Sequence, residues 1–205
     1  MTNNKELIQL VEDPWSWFKY FRQQRYIGDI LFEKATSKEE ILRFKDDLEF
    51  SNFTNLMINA HYHWGIAIEN GLKGMYVGMH RNQITIKQIE GGIQIKNIGG
   101  QAGKTHNLLK LAEQLGIFEI KSKIYDYKID YESLKQVLLH LSDVIKWTAR
   151  YPISHNTANI FKPNKNIPVP IIYGFHILDI INPLFDFFER QMSTYQNNNE
   201  SVKTV

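Results

Sequence analysis

An arginine and a histidine near residue 150 are the side chains whose types and spacing best suit chemistry in this chain. Arg150 and His155 are separated by four residues. A guanidinium can hold a phosphate through two hydrogen bonds and stabilise the charge that develops on it. An imidazole can exchange the proton of a ribose 2′-hydroxyl or of a leaving group near neutral pH. The pair therefore favours cleavage of an RNA phosphodiester.

A proline between these two residues bears on whether their side chains can meet. On an ideal helix, side chains five residues apart diverge by about 140°. Pro152 disfavours helix at the residue before it, so the chain can turn here and bring both groups to one site. The alternative is structural, because Arg-x4-His also occurs by chance. In that case Arg150 caps the carbonyl groups at a helix end.

Two other motifs give weaker functional signals. Gly99–Thr105 resembles a P-loop but has three residues, not four, between its first glycine and Gly-Lys-Thr. Nucleotide binding at this segment is kept as an alternative; the other interpretation is a loop whose Thr105 caps the next helix. His61 and His63 would point to different sides of a helix, and His106, His140 and His176 have no partner at helical spacing. No metal site is predicted.

The composition is that of one globular domain. The chain has 205 residues, 43% apolar and 22% charged, with a formal net charge of +2. Charge this balanced gives no electrostatic indication of nucleic-acid binding. The chain has no cysteine, which excludes disulfides, thiolate nucleophiles and Cys-ligated metals, and no cofactor is predicted. Without an apparent secretory signal or membrane-spanning segment, we expect a cytoplasmic protein that does not contact a membrane.

Hydrophobic periodicity predicts a mainly α fold, a helical bundle of four to five core helices with a small β-hairpin insertion. Residues 53–79 carry an apolar stripe that contains several glycines, which predicts a crowded central helix. Residues 83–98 alternate with a period of two around Glu90-Gly-Gly, which predicts a hairpin. The other predicted helices begin at a capping residue or follow an apolar stripe, from Pro14 and at about 37–48, 105–116, 130–150 and 171–194, the last interrupted at Pro183.

Three segments, in order, resemble motifs of the HEPN family. Residues 67–74 are similar to its A-x-E-x-x-L-K-A signature, and residues 104–109 resemble its K-x-H-[DN]-L-x-x-L segment. Residues 148–152 resemble its S-R-Y-P element, and the whole resemblance covers about 50–195. We therefore divide the chain into an N-terminal helical extension (1–36), an HEPN-like bundle (37–195, with the hairpin inserted at 83–98) and a disordered tail (196–205).

This resemblance implies a compact helical bundle that is commonly dimeric. Some HEPN proteins are metal-independent endoribonucleases of toxin–antitoxin or phage-defence systems, with an Arg-x4–6-His motif. Others are non-catalytic, bind RNA or nucleotides, or pair with nucleotidyltransferases. Arg150 and His155 fall on the catalytic motif, whereas Tyr151 and Pro152 are typical of a branch in which catalysis is often absent. Supporting roles in binding are assigned to Tyr151, Ser154, Asn156, Lys104 and His106.

The expected partners follow from the same resemblance. We expect a homodimer that binds RNA or a nucleotide, or that pairs with a cognate partner protein. Whether the chain cleaves RNA or acts as a non-catalytic partner-binding protein is left open between the two branches of the family.

Overall fold

The fold is given by a computed structural model, which describes residues 4–37, 47–119, 130–148 and 176–202. In order along the chain these residues form α1 (Asn4–Glu12), α2 (Pro14–Thr36), α3 (Asp47–Met79), a 3-10 turn (Arg81–Gln83), β1 (Thr85–Ile89), β2 (Gly92–Asn97), α4 (Gly100–Lys104), α5 (Leu108–Gln114), α6 (Tyr131–Asp143), a π-helical turn (Val144–Thr148) and α7 (His176–Val202). The structure is mainly helical with one small hairpin, so the predicted fold class is confirmed.

The start of α2 is set by the cap that the sequence predicts. Asp13 accepts hydrogen bonds from the backbone N–H groups of Trp15 and Ser16, both at 3.1 Å, and Pro14 occupies the first helical position, where a missing N–H costs nothing. Further along α2, Phe18 and Phe21 are fully buried in the same core as α3 and α7. The segment predicted as an N-terminal extension is therefore part of the central packing.

Helix α3 is the crowded central helix that the sequence predicts. Its 33 residues give a rod about 50 Å long. Its glycines leave space that neighbouring side chains fill: a Cβ at Gly71 would lie 2.6 Å from the Phe188 ring, and one at Gly65 would lie 2.5 Å from Ile145. These two α3 glycines are therefore needed for packing against α7 and against the π-helical turn after α6.

The β-hairpin is also where the sequence predicts it. β1 and β2 pair antiparallel, and Ile89 opposite Gly92 closes the pairing at the turn. Gly91 in that turn has φ of 78°, a left-handed conformation that glycine adopts without strain. Only two strands are found among the described residues.

The last helix extends further than the sequence predicts. α7 continues to Val202, past Gln196, where a disordered tail was expected, because no glycine or proline follows Pro183 to stop it. Pro183 itself lies within the helix and does not end it. No described helix combines the length and apolar character needed to cross a bilayer.

Candidate functional site

Two oppositely charged residues share one face of α3. Glu69 and Lys73 are four residues apart, which places them one helical turn from each other. The Lys73 Nζ lies 2.5 Å from Glu69 Oε1, and the two side chains are 16% and 6% exposed. Ile68 and Leu72, adjacent to them, are fully buried. A partly buried pair of this kind depends on both members, since a lone buried charge costs about 3–5 kcal/mol.

His106 reaches the same carboxylate from the turn that ends α4. Its Nδ1 lies 2.9 Å from Oε1 and 3.0 Å from Oε2 of Glu69. The turn is closed by a hydrogen bond of 3.0 Å from the Asn107 N–H to the Ala102 carbonyl. This is a Schellman-type helix end, in which glycine usually takes the left-handed position. Here His106 takes it, with φ of 53°.

The left-handed backbone of His106 is what directs the ring toward α3. A non-glycine residue in this conformation costs about 1 kcal/mol. The same helix-end geometry recurs after α5, where the Ile117 N–H bonds to the Ala112 carbonyl at 3.0 Å and the left-handed residue is Gly116, with φ of 66°. Of these two turns, histidine replaces glycine at the one where its side chain has a hydrogen-bond partner.

The charge state of Glu69 fixes the proton on His106. Burial alone raises the pKa of Glu69, but hydrogen bonding from His106 and the charge and hydrogen bond of Lys73 outweigh it and lower the pKa below its ordinary value. The ionised carboxylate can only accept hydrogen bonds, so His106 Nδ1 carries a proton. Nε2 is then the atom at which a neutral ring accepts a proton.

Solvent reaches the imidazole but not the carboxylate. The His106 side chain is 33% exposed, against 6% for Glu69. An imidazole oriented by a buried carboxylate and open on its other side is the arrangement in which histidine transfers protons in many enzymes. The arrangement can therefore donate a hydrogen bond to an anion or exchange a proton with a bound hydroxyl group.

Lys104 is an accessible cation two residues before His106 in the sequence. It is the last residue of α4, is exposed, and makes no ion pair within the described part of the chain. Lys73, by contrast, is enclosed, with its Nζ 5.9 Å from the centre of the Trp17 ring. Lys104 is thus available to a ligand, whereas Lys73 serves the ion pair with Glu69.

The segment that resembles a P-loop has a different structure. Gly100–Lys104 is helical and follows a strand that is antiparallel to its neighbour. Gly103 is packed so closely against the Ile98 carbonyl oxygen that no side chain fits between them. A phosphate-wrapping loop needs an open turn between a parallel strand and a helix, and this segment does not provide one.

Thr105 does not cap the next helix, so that interpretation is wrong. Its Oγ1 donates to the Gln101 carbonyl at 2.9 Å, back into α4. The cap of α5 is Asn107, whose side chain accepts from the Lys110 N–H at 3.0 Å. Thr105 was preferred because a hydroxyl before an apolar stripe is a common start signal. The left-handed turn at His106 moves the start two residues along the chain.

A buried serine ties this turn to α6. Ser142 Oγ accepts from the Leu108 N–H at 2.9 Å and donates to the Leu138 carbonyl at 2.6 Å. Regular α6 ends at Asp143, about two turns before the predicted end, and a π-helical turn continues the chain to Thr148. The His106 turn is therefore held against the helix that leads to Arg150.

The structure describes only part of the predicted site. Of the residues predicted from sequence, His106 joins the network with Glu69 and Lys73, and Lys104 lies on the same short segment. The other predicted site residues lie outside the described residues: Arg150, Tyr151, Ser154, His155 and Asn156. Glu69 and Lys73 lie in the segment that resembles the first HEPN motif, but the sequence did not mark them as site residues. Their signal is an acid and a base one turn apart within an apolar stripe.

A contact between two histidines was missed from the sequence. His61 Nδ1 lies 3.1 Å from His140 Nε2, although the residues are 79 positions apart. Burial and the neighbouring His140 lower the pKa of His61 to about 3, and burial lowers the pKa of His140 to about 4. Among the residues that the structure describes, His61 Nε2 has no hydrogen-bond partner. The described residues contain no group of three metal-ligating side chains, so this pair has no third ligand there.

A cavity of about 260 Å³ lies apart from the His106–Glu69 and His61–His140 contacts. Its lining comes from α1, the start of α2, the end of α3, the 3-10 turn and α7: Gln9, Glu12, Asp13, Pro14, Val77, Gly78, Arg81 and Tyr195. The Arg81 guanidinium in it is 3.2 Å from Glu12. This ion pair is exposed and contributes little on its own.

Comparisons with models of known protein families, with curated proteins and with solved structures gave no match. The HEPN resemblance therefore stays a prediction that rests on the three sequence segments.

Proposed function

We propose that this chain is an HEPN-like RNA-binding protein of the toxin or phage-defence type, whose binding surface includes Lys104 and His106. The observation that supports it most directly is the hydrogen bond between His106 and Glu69. It joins two of the three motif segments, 37 residues apart in sequence, and leaves the imidazole partly exposed.

The charges around this bond favour a phosphodiester. Lys73 neutralises Glu69, so Lys104 is the exposed cation of this segment that remains available to a ligand. A cation beside an oriented hydrogen-bond donor suits the phosphate backbone of a nucleic acid. The left-handed backbone of His106 agrees with this proposal, because strained conformations are often kept where a side chain has a function.

Binding of a labelled single-stranded RNA, measured by fluorescence anisotropy at several salt concentrations, tests the proposal. We expect Lys104→Ala to weaken binding about 5-fold and to reduce the salt dependence by roughly one phosphate contact. His106→Gln should weaken binding to a similar extent. Lys87→Ala, an exposed lysine on β1, is the matched control and should bind as the unaltered chain does. Equal affinities for all four proteins, or no RNA binding by any, would contradict the proposal.

Cleavage is a separate part of the proposal and rests on the sequence. Arg150 would hold the scissile phosphate and His155 would transfer the proton of the attacking 2′-hydroxyl or of the leaving group, with Tyr151, Ser154 and Asn156 supporting binding. RNA incubated with the protein in EDTA should be cut, and His155→Ala should not cut it. If both proteins leave the RNA intact while still binding it, the chain is a binding protein and not a nuclease.

A non-catalytic, partner-binding role is the second candidate function. The observation that favours it is the exposed apolar side of α2, which includes Tyr20, Tyr26 and Ile30. Such a patch marks a contact surface for another protein more often than a nucleic-acid site. Light scattering on the purified chain and pull-down with its neighbouring gene products would show whether a partner exists.

A further inference from the structure

The side of α2 that faces away from the core carries large apolar side chains. Tyr20, Tyr26, Ile27 and Ile30 are 49%, 67%, 37% and 46% exposed. On the opposite side of the same helix Phe18, Phe21 and Phe32 are buried. The helix is therefore apolar on both sides, and only one side is used by the described fold.

The exposed residues form a stripe of the kind that joins two helices. Tyr20, Gln23, Ile27 and Ile30 follow one another at intervals of three, four and three residues, the spacing of a helix–helix seam. We call these four residues the α2 stripe. It runs for about 15 Å along the helix. We propose that the α2 stripe is a self-association surface, on which the α2 helix of a second copy of this chain packs in the antiparallel direction.

The charges beside the stripe favour a second copy of this chain as the partner. They also favour the antiparallel direction. Lys19 and Glu33 lie on the same side of the stripe, two heptads apart, and both are exposed. Neither makes an ion pair within the described part of the chain. In a parallel pair Lys19 and Glu33 of the second copy would lie two heptads apart along the seam and could not meet. In an antiparallel pair each Lys19 faces Glu33 of the second copy, twice, because a two-fold axis repeats every contact.

The same arrangement gives the stripe a consistent register. Tyr20 meets Ile30 of the second copy, and Ile27 meets its Gln23. Tyr26, midway between Lys19 and Glu33, lies beside its own copy at the two-fold axis. One polar residue in an apolar seam disfavours other registers, and here that residue is Gln23. One surface thus provides both the apolar residues and the opposite charges that its partner needs. An unrelated partner would have to match the apolar residues and the charges separately.

The size of the surface predicts a weak dimer. Stable interfaces bury about 800 Å² on each partner, and one helix pair over this length buries less. We expect a dissociation constant on the order of 10 µM. The α2 stripe lies outside the segments that resemble HEPN motifs, so this inference is independent of RNA binding.

Sedimentation equilibrium of the full chain between about 1 and 200 µM tests the inference through a charge exchange. Lys19→Glu alone and Glu33→Lys alone each set like charges opposite each other at two places, and each should weaken the dimer about 10-fold. The double variant Lys19→Glu/Glu33→Lys restores opposite charges and should return the affinity to within about 2-fold of the original. Circular dichroism would verify that the helix content is unchanged.

A cross-link gives a second, independent measurement. The chain contains no cysteine, so Tyr26→Cys introduces a single thiol at the proposed axis. Under mild oxidation it should give a disulfide-linked dimer. Leu139→Cys, at an exposed apolar position on α6, should stay largely monomeric and is the matched control.

Three results would overturn the inference. The chain could stay monomeric throughout the concentration range. The double charge variant could associate no better than the single variants, which excludes the antiparallel pairing. Leu139→Cys could cross-link as readily as Tyr26→Cys, which would place the contact elsewhere or show that it is not specific.

Discussion

His106 and His140 each meet a residue of α3, but their partners differ in charge. His106 bonds to the ionised carboxylate of Glu69 at 2.9 Å, and its side chain is partly open to solvent. His140 lies 3.1 Å from His61, another imidazole, which is buried beside Trp64. Both contacts join α3 to a second element. The comparison therefore shows how the charge of the partner and the burial of the ring affect each histidine.

The charge of the partner determines which histidine can take part in proton transfer. A carboxylate accepts a hydrogen bond from a neutral or a protonated imidazole, so His106 can gain or lose a proton and keep Glu69 as its partner. Two imidazoles in contact require one ring to accept, and protonating both removes that bond. Hence the His61–His140 pair is suited to holding α3 and α6 together in the neutral form, and His106 is suited to exchange.

The largest expected effect is acid destabilisation through the His61–His140 pair. Folding lowers the pKa of His61 to about 3 and that of His140 to about 4, so the unfolded chain binds protons more readily. The stability from this pair is complete above about pH 6.5 and falls as the pH drops toward the folded-state values. Between pH 7 and pH 5 the free energy of unfolding should decrease on the order of 4 kcal/mol.

Urea unfolding followed by tryptophan fluorescence at pH 7, 6 and 5 would measure this decrease. Carboxylates stay largely ionised over that window, so histidines dominate it. His140→Gln should reduce the slope by about half, because one titrating ring is removed. An equally steep slope in the variant, or a flat profile in the unaltered chain, would show that the pair does not control the pH response.

The next largest effect is the loss of Glu69. Glu69→Ala leaves Lys73 without its partner and removes the hydrogen bond from His106, which should cost about 3 kcal/mol. The matched control is Glu132→Ala, which breaks an exposed ion pair with Lys135 and should leave the unfolding midpoint unchanged. If the two alanine variants were equally stable, the buried network would not contribute to the fold.

The smallest expected effect separates backbone strain from the side-chain contact at His106. His106→Gly removes both the contact and the left-handed strain, whereas His106→Ala removes only the contact. The glycine variant should therefore be about 1 kcal/mol more stable than the alanine variant, and both should bind RNA equally weakly. Thermal unfolding followed by circular dichroism would compare them. An alanine variant as stable as the glycine variant would mean that the turn is not strained.

The helices and the hairpin were predictable where the residue that starts or turns the chain lies within a few positions of the element itself. Asp13 caps α2 as its position before proline indicates, and Asp130 caps α6 by accepting from the Glu132 N–H at 3.2 Å. Gly91 marks the hairpin turn. Where a competing local signal existed the prediction was wrong: Thr105 looked like a cap, but the left-handed turn at His106 gave that role to Asn107.

The candidate site was predictable only in part. His106 and Lys104 were found because they belong to a motif, whereas the partners of His106 come from a helix 37 residues away. Arg150 and His155 lie outside the described residues, so their convergence stays a prediction. The His61–His140 contact carried no local signal at all.

Local signals in the sequence were enough for the helical class, the hairpin and the starts of α2 and α6, because capping and periodicity act within one or two turns of the chain. Tertiary contacts fixed which face of α3 receives His106, which histidine meets His61, and which side of α2 remains exposed. Those outcomes depend on the packing of helices that are distant in sequence. Their physical basis is burial: the same glutamate, histidine or tyrosine has a different role once neighbouring helices remove it from water or leave it in contact with water.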